Sequence, residues 1–119
     1  MTEVATLIDG YISMWNETDP ERRRALVART WADDARYVDP LVTGEGRDGI
    51  DAMISGVQQQ FPGHRFELAT GPDAHHDRVR FSWHLVADGG SRVATGVDFG
   101  TLSTEGRLQS VTGFHEQPA

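Results

Sequence analysis

Apolar residues near the N-terminus recur at helical spacing. Val4, Leu7, Ile8, Tyr11 and Trp15 fall on one stripe, so residues 3 to 17 read as an amphipathic helix whose inner face ends in two aromatic rings. Asp19-Pro20 restarts a helix, because aspartate is a good N-cap and proline is tolerated at the first helical position. Residues 20 to 31 form that second helix and bury Leu26, Val27 and Trp31. The stretch from Ala35 to Asp39 is short and extended, since the residue before Pro40 is pushed out of the helical region. A third helix runs from about Arg47 to Gln60, with Ile50, Met53, Ile54 and Val57 on one stripe and Pro62-Gly63 as its stop signal.

Beyond that point the period changes to two. Residues 64 to 70, 78 to 87, 92 to 103 and 107 to 115 read as strands, separated by Gly71-Pro72-Asp73, Asp88-Gly89-Gly90 and Thr104-Glu105-Gly106. These connections are too short for parallel crossovers, so the last three strands are expected to form an antiparallel meander. Helices first and strands second predict an α+β domain in which helices cover one face of a bent antiparallel sheet. No repeat, linker or low-complexity segment interrupts the chain, and 119 residues make room for one domain, 1 to 119.

Composition narrows the function classes. The 18 acidic residues outnumber the 11 basic ones, and the only basic cluster, Arg22-Arg23-Arg24, is short and sits beside Asp19 and Glu21, so a nucleic-acid partner is not expected. No run approaches the ~20 apolar residues of a membrane span, and the first residues lack a basic segment ahead of an apolar one, so no membrane or export role is expected. The absence of cysteine removes disulfides and thiolate chemistry, and points to a cytoplasmic protein.

Three polar positions stand out against this background. In the strand from Arg92 to Leu102, one parity reads Val93, Thr95, Val97, Phe99, Thr101 and the other Ala94, Gly96, Asp98, Gly100, Leu102. Aspartate is disfavoured in mid-strand, and strand glycines mark a bend or a close approach to the backbone, so Asp98 lies on a face cleared of side chains. That face is either solvated or faces a site, and alternation alone leaves both open. Tyr11 lies on the inner stripe of the first helix, where a tyrosine is also an ordinary core residue. Asp39 interrupts the apolar run of Tyr37, Val38 and Leu41, although an aspartate before proline also starts turns.

The segments Gly10-Tyr11-Ile12-Ser13-Met14-Trp15-Asn16, Trp31-Ala32-Asp33-Asp34-Ala35-Arg36-Tyr37-Val38-Asp39-Pro40, Gly46-Arg47-Asp48-Gly49-Ile50, Val97-Asp98-Phe99 and Val111-Thr112-Gly113-Phe114 together resemble the nuclear transport factor 2-like superfamily. Within it, the chain looks like the SnoaL-like and ketosteroid isomerase-like branch. The resemblance covers nearly the whole chain. It implies a curved antiparallel sheet wrapped around three N-terminal helices, the cystatin-like fold, with a cone-shaped apolar pocket. It also implies proton transfer next to a carbonyl, without cofactor or metal, on a small apolar carbonyl-containing molecule, in the manner of an isomerase or a polyketide cyclase. Against the ketosteroid isomerases, Tyr11 falls on the tyrosine that bonds the substrate oxygen, Asp39 on the carboxylate that moves the proton, and Asp98 on the carboxylic acid that stays protonated. Trp15, Tyr37, Met53, Phe61, Phe66, Phe81, Trp83 and Phe114 are expected to line or fill the pocket.

Rival readings are a non-catalytic ligand-binding or dimerisation module and a hydrolase or dehydratase on the same scaffold. For the latter, Arg80 is the only strand arginine to suggest it, and its parity is wrong. His75-His76-Asp77 lacks the spacing of a metal site. His84 shares its parity with Arg80 and Ser82 and reads as outward or interfacial, while His64 and His115 are scattered. No nucleophile elbow supports a Ser-His-Asp triad, and Gly44-Glu45-Gly46 reads as a loop rather than a phosphate cradle. Val93, Val97 and Phe99, opposite Asp98, predict a homodimer through the outward face of the sheet.

Overall fold

The computed structural model describes residues 2 to 116. Helix α1 (Thr2–Asn16) leads through a short turn into α2 (Pro20–Thr30), then strands β1 (Trp31–Val38) and β2 (Thr43–Glu45), helix α3 (Gly46–Gln60), and strands β3 (Arg65–His75), β4 (Arg78–Val86), β5 (Arg92–Leu102) and β6 (Leu108–His115). One curved, open sheet holds all six strands in the order β2-β1-β6-β5-β4-β3. The hairpins β3–β4, β4–β5 and β5–β6 are antiparallel, as the short loops require. Helix α1 lies against β3, and α3 against β1 and β2, so the helices cover one face.

Local chemistry accounts for the helix boundaries. Asp19 caps α2 by accepting the Arg22 N–H at 2.9 Å, with Pro20 at the first helical position. Arg23, from the short basic cluster, turns inward and is 5% exposed. Its Nε donates to Asp51 Oδ1 at 2.7 Å and its guanidinium also reaches Gln58, which fastens α2 to α3.

Four features depart from the sequence reading. Trp31 does not end α2 but opens β1, where it pairs with Leu108, so the strand is longer than the expected 35 to 39. Strand β1 runs parallel to β6, a neighbour far off in sequence that no turn signal announces. Gly44-Glu45 is no loop but part of β2, an edge strand of three residues and too short to show a period. Gly71-Pro72-Asp73 does not separate strands. Strand β3 bulges there and continues to His75, because Gly71 adopts φ +92° and a Cβ on it would lie 2.9 Å from the Arg80 carbonyl oxygen.

The core fills the space between the helices and the sheet with Ile8, Tyr11, Met14, Trp31, Ile50, Ile54, Phe81, Leu108 and Val111, each almost wholly buried. No helix among the described residues is long and apolar enough to cross a membrane.

Candidate active site

Strand β5 carries Asp98 into the covered face of the sheet, where it is 1% exposed, while Val93 and Phe99 on the other parity are about half exposed. Two glycines clear the space around it. Gly96 pairs with Trp83, and a Cβ there would overlap the indole, so only glycine lets that ring lie flat on β5. Trp83 thereby points Nε1 at Asp98 Oδ1 and donates at 3.0 Å, while the Tyr11 hydroxyl, reaching down from α1, donates to Oδ2 at 2.8 Å. Burial pushes the Asp98 carboxyl up to about 6. The two donors pull the other way, nearby Asp39 raises it further and His115 lowers it. Burial beside this acid also raises the Tyr11 phenol well above its ordinary value.

Asp39 sits in a different frame. Its Oδ1 accepts the backbone N–H of Leu41 at 2.7 Å and of Val42 at 2.9 Å, closing the tight turn from β1 into β2. Oδ2 accepts the Tyr37 hydroxyl at 2.6 Å, and His115 Nε2 lies 3.6 Å from the same oxygen. The side chain is only 6% exposed. Asp39 is therefore both the turn former and the carboxylate in grease: the same apolar neighbours that exclude water leave it to backbone amides and one phenol. Burial, then Asp98 and the bond to Asp39, raises the Tyr37 hydroxyl as well.

Gly113 joins the two groups. It pairs with Asp98 across β5 and β6, and a Cβ on it would lie 2.9 Å from Asp98 Oδ1, 3.1 Å from Asp39 Cβ and 3.1 Å from the Tyr37 hydroxyl. The carboxyl groups are thus neighbours across one bare strand position, not partners facing each other over a wide cavity.

Both open on a cavity of about 120 Å³. Of the residues expected to line it, Tyr11, Trp15, Tyr37, Asp39, Phe61, Phe66, Trp83 and Asp98 do so. Three do not. Phe114 is on the outward parity of β6, 54% exposed and edge-on to Phe99 at 6.0 Å, because Val111, Gly113 and His115 take the inward positions. Phe81 is wholly buried beneath Tyr11, with ring centres 5.2 Å apart, and serves as core. Met53 faces a separate shallow hollow beside Val42 and Thr43.

The sequence reading missed His115 and the mouth residue Leu41, both of which line the cavity. The inward parity of Val111 and Gly113 was the available signal for His115. Elsewhere, exposed His75 ends β3 and His76 lies in the turn to β4, and among the described residues no three His, Cys, Asp or Glu side chains converge on a point where a metal ion would sit. Arg80 points outward and pairs with Asp73 at 3.0 Å, and half-buried His84 shares that outward parity.

Residues 8 to 111 match the SnoaL-like domain model. The chain belongs to the SnoaL-like family. It is 50% identical to a conjectural isomerase of that family from Agrobacterium tumefaciens strain C58, with 98% of this chain and 100% of that chain covered and a TM-score of 0.93. More distant structures share the fold alone: an NTF2-like protein of unknown function from Exiguobacterium sp. 255-15 (17% identity, 94% and 99% covered, TM-score 0.74) and a conjectural SnoaL-like polyketide cyclase from Jannaschia sp. CCS1 (16%, 94% and 86%, 0.70). A search of curated proteins found no match.

Proposed function

We propose that this SnoaL-like protein catalyses proton transfer next to a carbonyl in a small apolar molecule, as an isomerase or a cyclase-type enzyme. The observation that carries this reading is a buried carboxyl, Asp98, bonded to the Tyr11 phenol and opening on the same cavity as a second carboxylate, Asp39.

Counting protons gives each group its role. With Asp98 ionised, the Tyr11–Asp98 pair holds one proton and spends it between its own two oxygens. With Asp98 protonated, the pair holds two, one bridging and one left to donate to a carbonyl oxygen in the cavity. Asp39 enters as the base, since one lone pair of Oδ2 takes the Tyr37 hydroxyl and another remains for the substrate proton. The C–H bond next to the carbonyl breaks, its proton goes to Oδ2, its electron pair forms the C=C bond, and the carbonyl π pair moves to oxygen. Returning the proton to a different carbon completes an isomerisation.

Conversion of a one-ring β,γ-unsaturated ketone to its conjugated isomer tests this. Asp39→Asn is expected to lower kcat by about 10²- to 10⁴-fold while ligand binding persists. A variant that merely melts earlier, in a protein that turns over no carbonyl compound, reduces the site to a ligand-binding or dimerisation module.

One distance favours a second reading. The His115–Asp39 pair at 3.6 Å forms an acid–base couple on the cavity wall, suited to directing water in a hydrolase or dehydratase. Under that reading His115→Phe abolishes turnover, whereas isomerisation by Asp39 alone survives it within a few fold.

We also propose that two copies pair through the outward sheet face, where Phe99 and Phe114, 47% and 54% exposed, lie 6.0 Å apart and Val93, farther along β5, is 50% exposed. Sedimentation as a monomer at micromolar concentration refutes this.

A further inference from the structure

The cavity has a size, a polar end and a braced wall, and together they select a class of ligand. Its volume, about 120 Å³, is well below the roughly 300–1,000 Å³ of ordinary ligand pockets and close to the ~150 Å³ cavity that holds a benzene ring. We propose that the site admits a compact, uncharged carbonyl compound, one ring or an equivalent short chain, bound oxygen-inward, and turns away polycyclic ketones. This rests on the proton-transfer reading for the carbonyl and on the cavity alone for the size.

Trp15 sets the limit. Its indole meets Tyr37 at 5.6 Å, Phe66 at 5.2 Å and Tyr11 at 6.4 Å between ring centres, in edge-on or tilted contacts, and Phe66 continues the wall to Trp83 at 5.4 Å. The backbone behind it is fastened on two sides. Gln58 Nε2 donates to the Trp15 carbonyl at 3.0 Å. Next in sequence, Asn16 makes a reciprocal pair with the Phe66 backbone, Nδ2 donating to the carbonyl at 2.9 Å and Oδ1 accepting the N–H at 2.7 Å. These bonds hold the backbone at the end of α1 against α3 and β3, and the rings of Tyr11, Tyr37 and Phe66 pack the indole in its rotamer, so swinging it aside means displacing a packed ring.

Orientation follows from where polarity lies. Asp98 and Tyr11 are 1% exposed and form the closed end, while Leu41 and Phe61, at 75% and 37%, form the mouth. A carbonyl oxygen entering first meets the donors, and the hydrocarbon tail is left against Leu41 and Phe61. Asp39, in its role as the base, repels an anion, and the aromatic and aliphatic lining strips water from an ion of either sign, which favours uncharged ligands.

Titrating the protein with cyclohexenone and with a four-ring ketone, followed by NMR of the tryptophan indole N–H signals, tests the proposal. Saturable shifts at Trp83 are expected with cyclohexenone, and affinity for the four-ring ketone at least about tenfold weaker. Trp15→Ala is expected to reverse that order. Should it fail to fold, Trp15→Phe narrows the preference in the same direction. Equal or tighter binding of the four-ring ketone by the wild type overturns the proposal, as does absence of saturable binding by cyclohexenone, or a preference that neither variant moves. Saturable binding without turnover leaves this proposal standing and removes the proton-transfer reading, so the two fail separately.

Discussion

The cavity holds two carboxyl groups, and the sheet treats them differently. Asp98 is surrounded by side chains: among the described residues a phenol and an indole supply its side-chain hydrogen bonds, and both belong to rings packed in the core. Asp39 is held by the backbone, through the amides of Leu41 and Val42, with Tyr37 and His115 on its other oxygen. Backbone donors are fixed by the turn itself and hold the Asp39 carboxyl in one orientation whatever the side chains do. Burial leaves the charge on Asp98 costly even with its two side-chain donors, and the raised value of about 6 reflects that. The same cavity thus holds one carboxyl braced by side chains and one braced by the backbone, separated by a glycine.

The largest test of this difference is pH. Asp98 holds its proton more tightly in the folded chain, at about 6, than in the unfolded one, at its ordinary 3.8. A raised carboxyl favours the folded state most below the unfolded value, and this advantage is lost as pH climbs through the folded value. Converted at 1.36 kcal/mol per pH unit, the loss amounts to roughly 3 kcal/mol between about pH 4 and 6. Denaturant melts of wild type and Asp98→Asn across that range are therefore expected to change in their difference by about this amount, with the wild type losing ground as pH rises. A difference that stays constant with pH means that Asp98 is not an acid of this kind.

Gly113→Ala attacks both groups at once. Its Cβ would come within 2.9 Å of Asp98 Oδ1 and 3.1 Å of both Asp39 Cβ and the Tyr37 hydroxyl. Relief requires moving well-packed site residues, at a cost of about 1–3 kcal/mol. Gly56→Ala, where a Cβ meets nothing within 4 Å, is the matched control and is expected to be neutral or slightly stabilising. Equal melting of the two variants removes the claim that position 113 is the bare ground between the carboxyl groups.

Much of this arrangement was legible in the sequence, and the exceptions share a cause. Alternation put Asp98, between Gly96 and Gly100, on a face cleared of side chains without saying whether that face was solvated, and the helical stripe put Tyr11 on an inner face; only the resemblance brought the two to one site. Asp19-Pro20 and the short hairpin loops fixed α2 and the meander. What stayed hidden depends on neighbours distant in the chain: the parallel pairing of β1 with β6, which sets Asp39 beside Gly113, and the resulting approach of His115 to Asp39. Phe114 was misplaced for a related reason, since a motif names residues without assigning parity, and one step along β6 exchanges the cavity for the outer face.

The finest test reads the midpoint of one carboxyl after the loss of one hydroxyl. Tyr11→Phe keeps the ring against Trp31 and Phe81, at 5.9 and 5.2 Å, and removes only the hydroxyl that donates to Asp98 Oδ2. That bond lowers the Asp98 value, so without it the carboxyl is expected to titrate above about 6, visible as a higher midpoint for its carbon signal by NMR. The stability cost depends on charge. With Asp98 protonated at pH 5, the variant loses one ordinary bond, about 0.5–1.5 kcal/mol, whereas at pH 8 it leaves a buried carboxylate short of a donor and loses about 1.5–3 kcal/mol. Tyr37→Phe, which removes a donor from Asp39 instead, is expected to leave the Asp98 midpoint within a few tenths of a pH unit of wild type, on the scale where one unit is about 1.36 kcal/mol. If both variants move Asp98 equally, the carboxyl groups titrate as one coupled pair, and the division of labour between a side-chain-held acid and a backbone-held base does not stand.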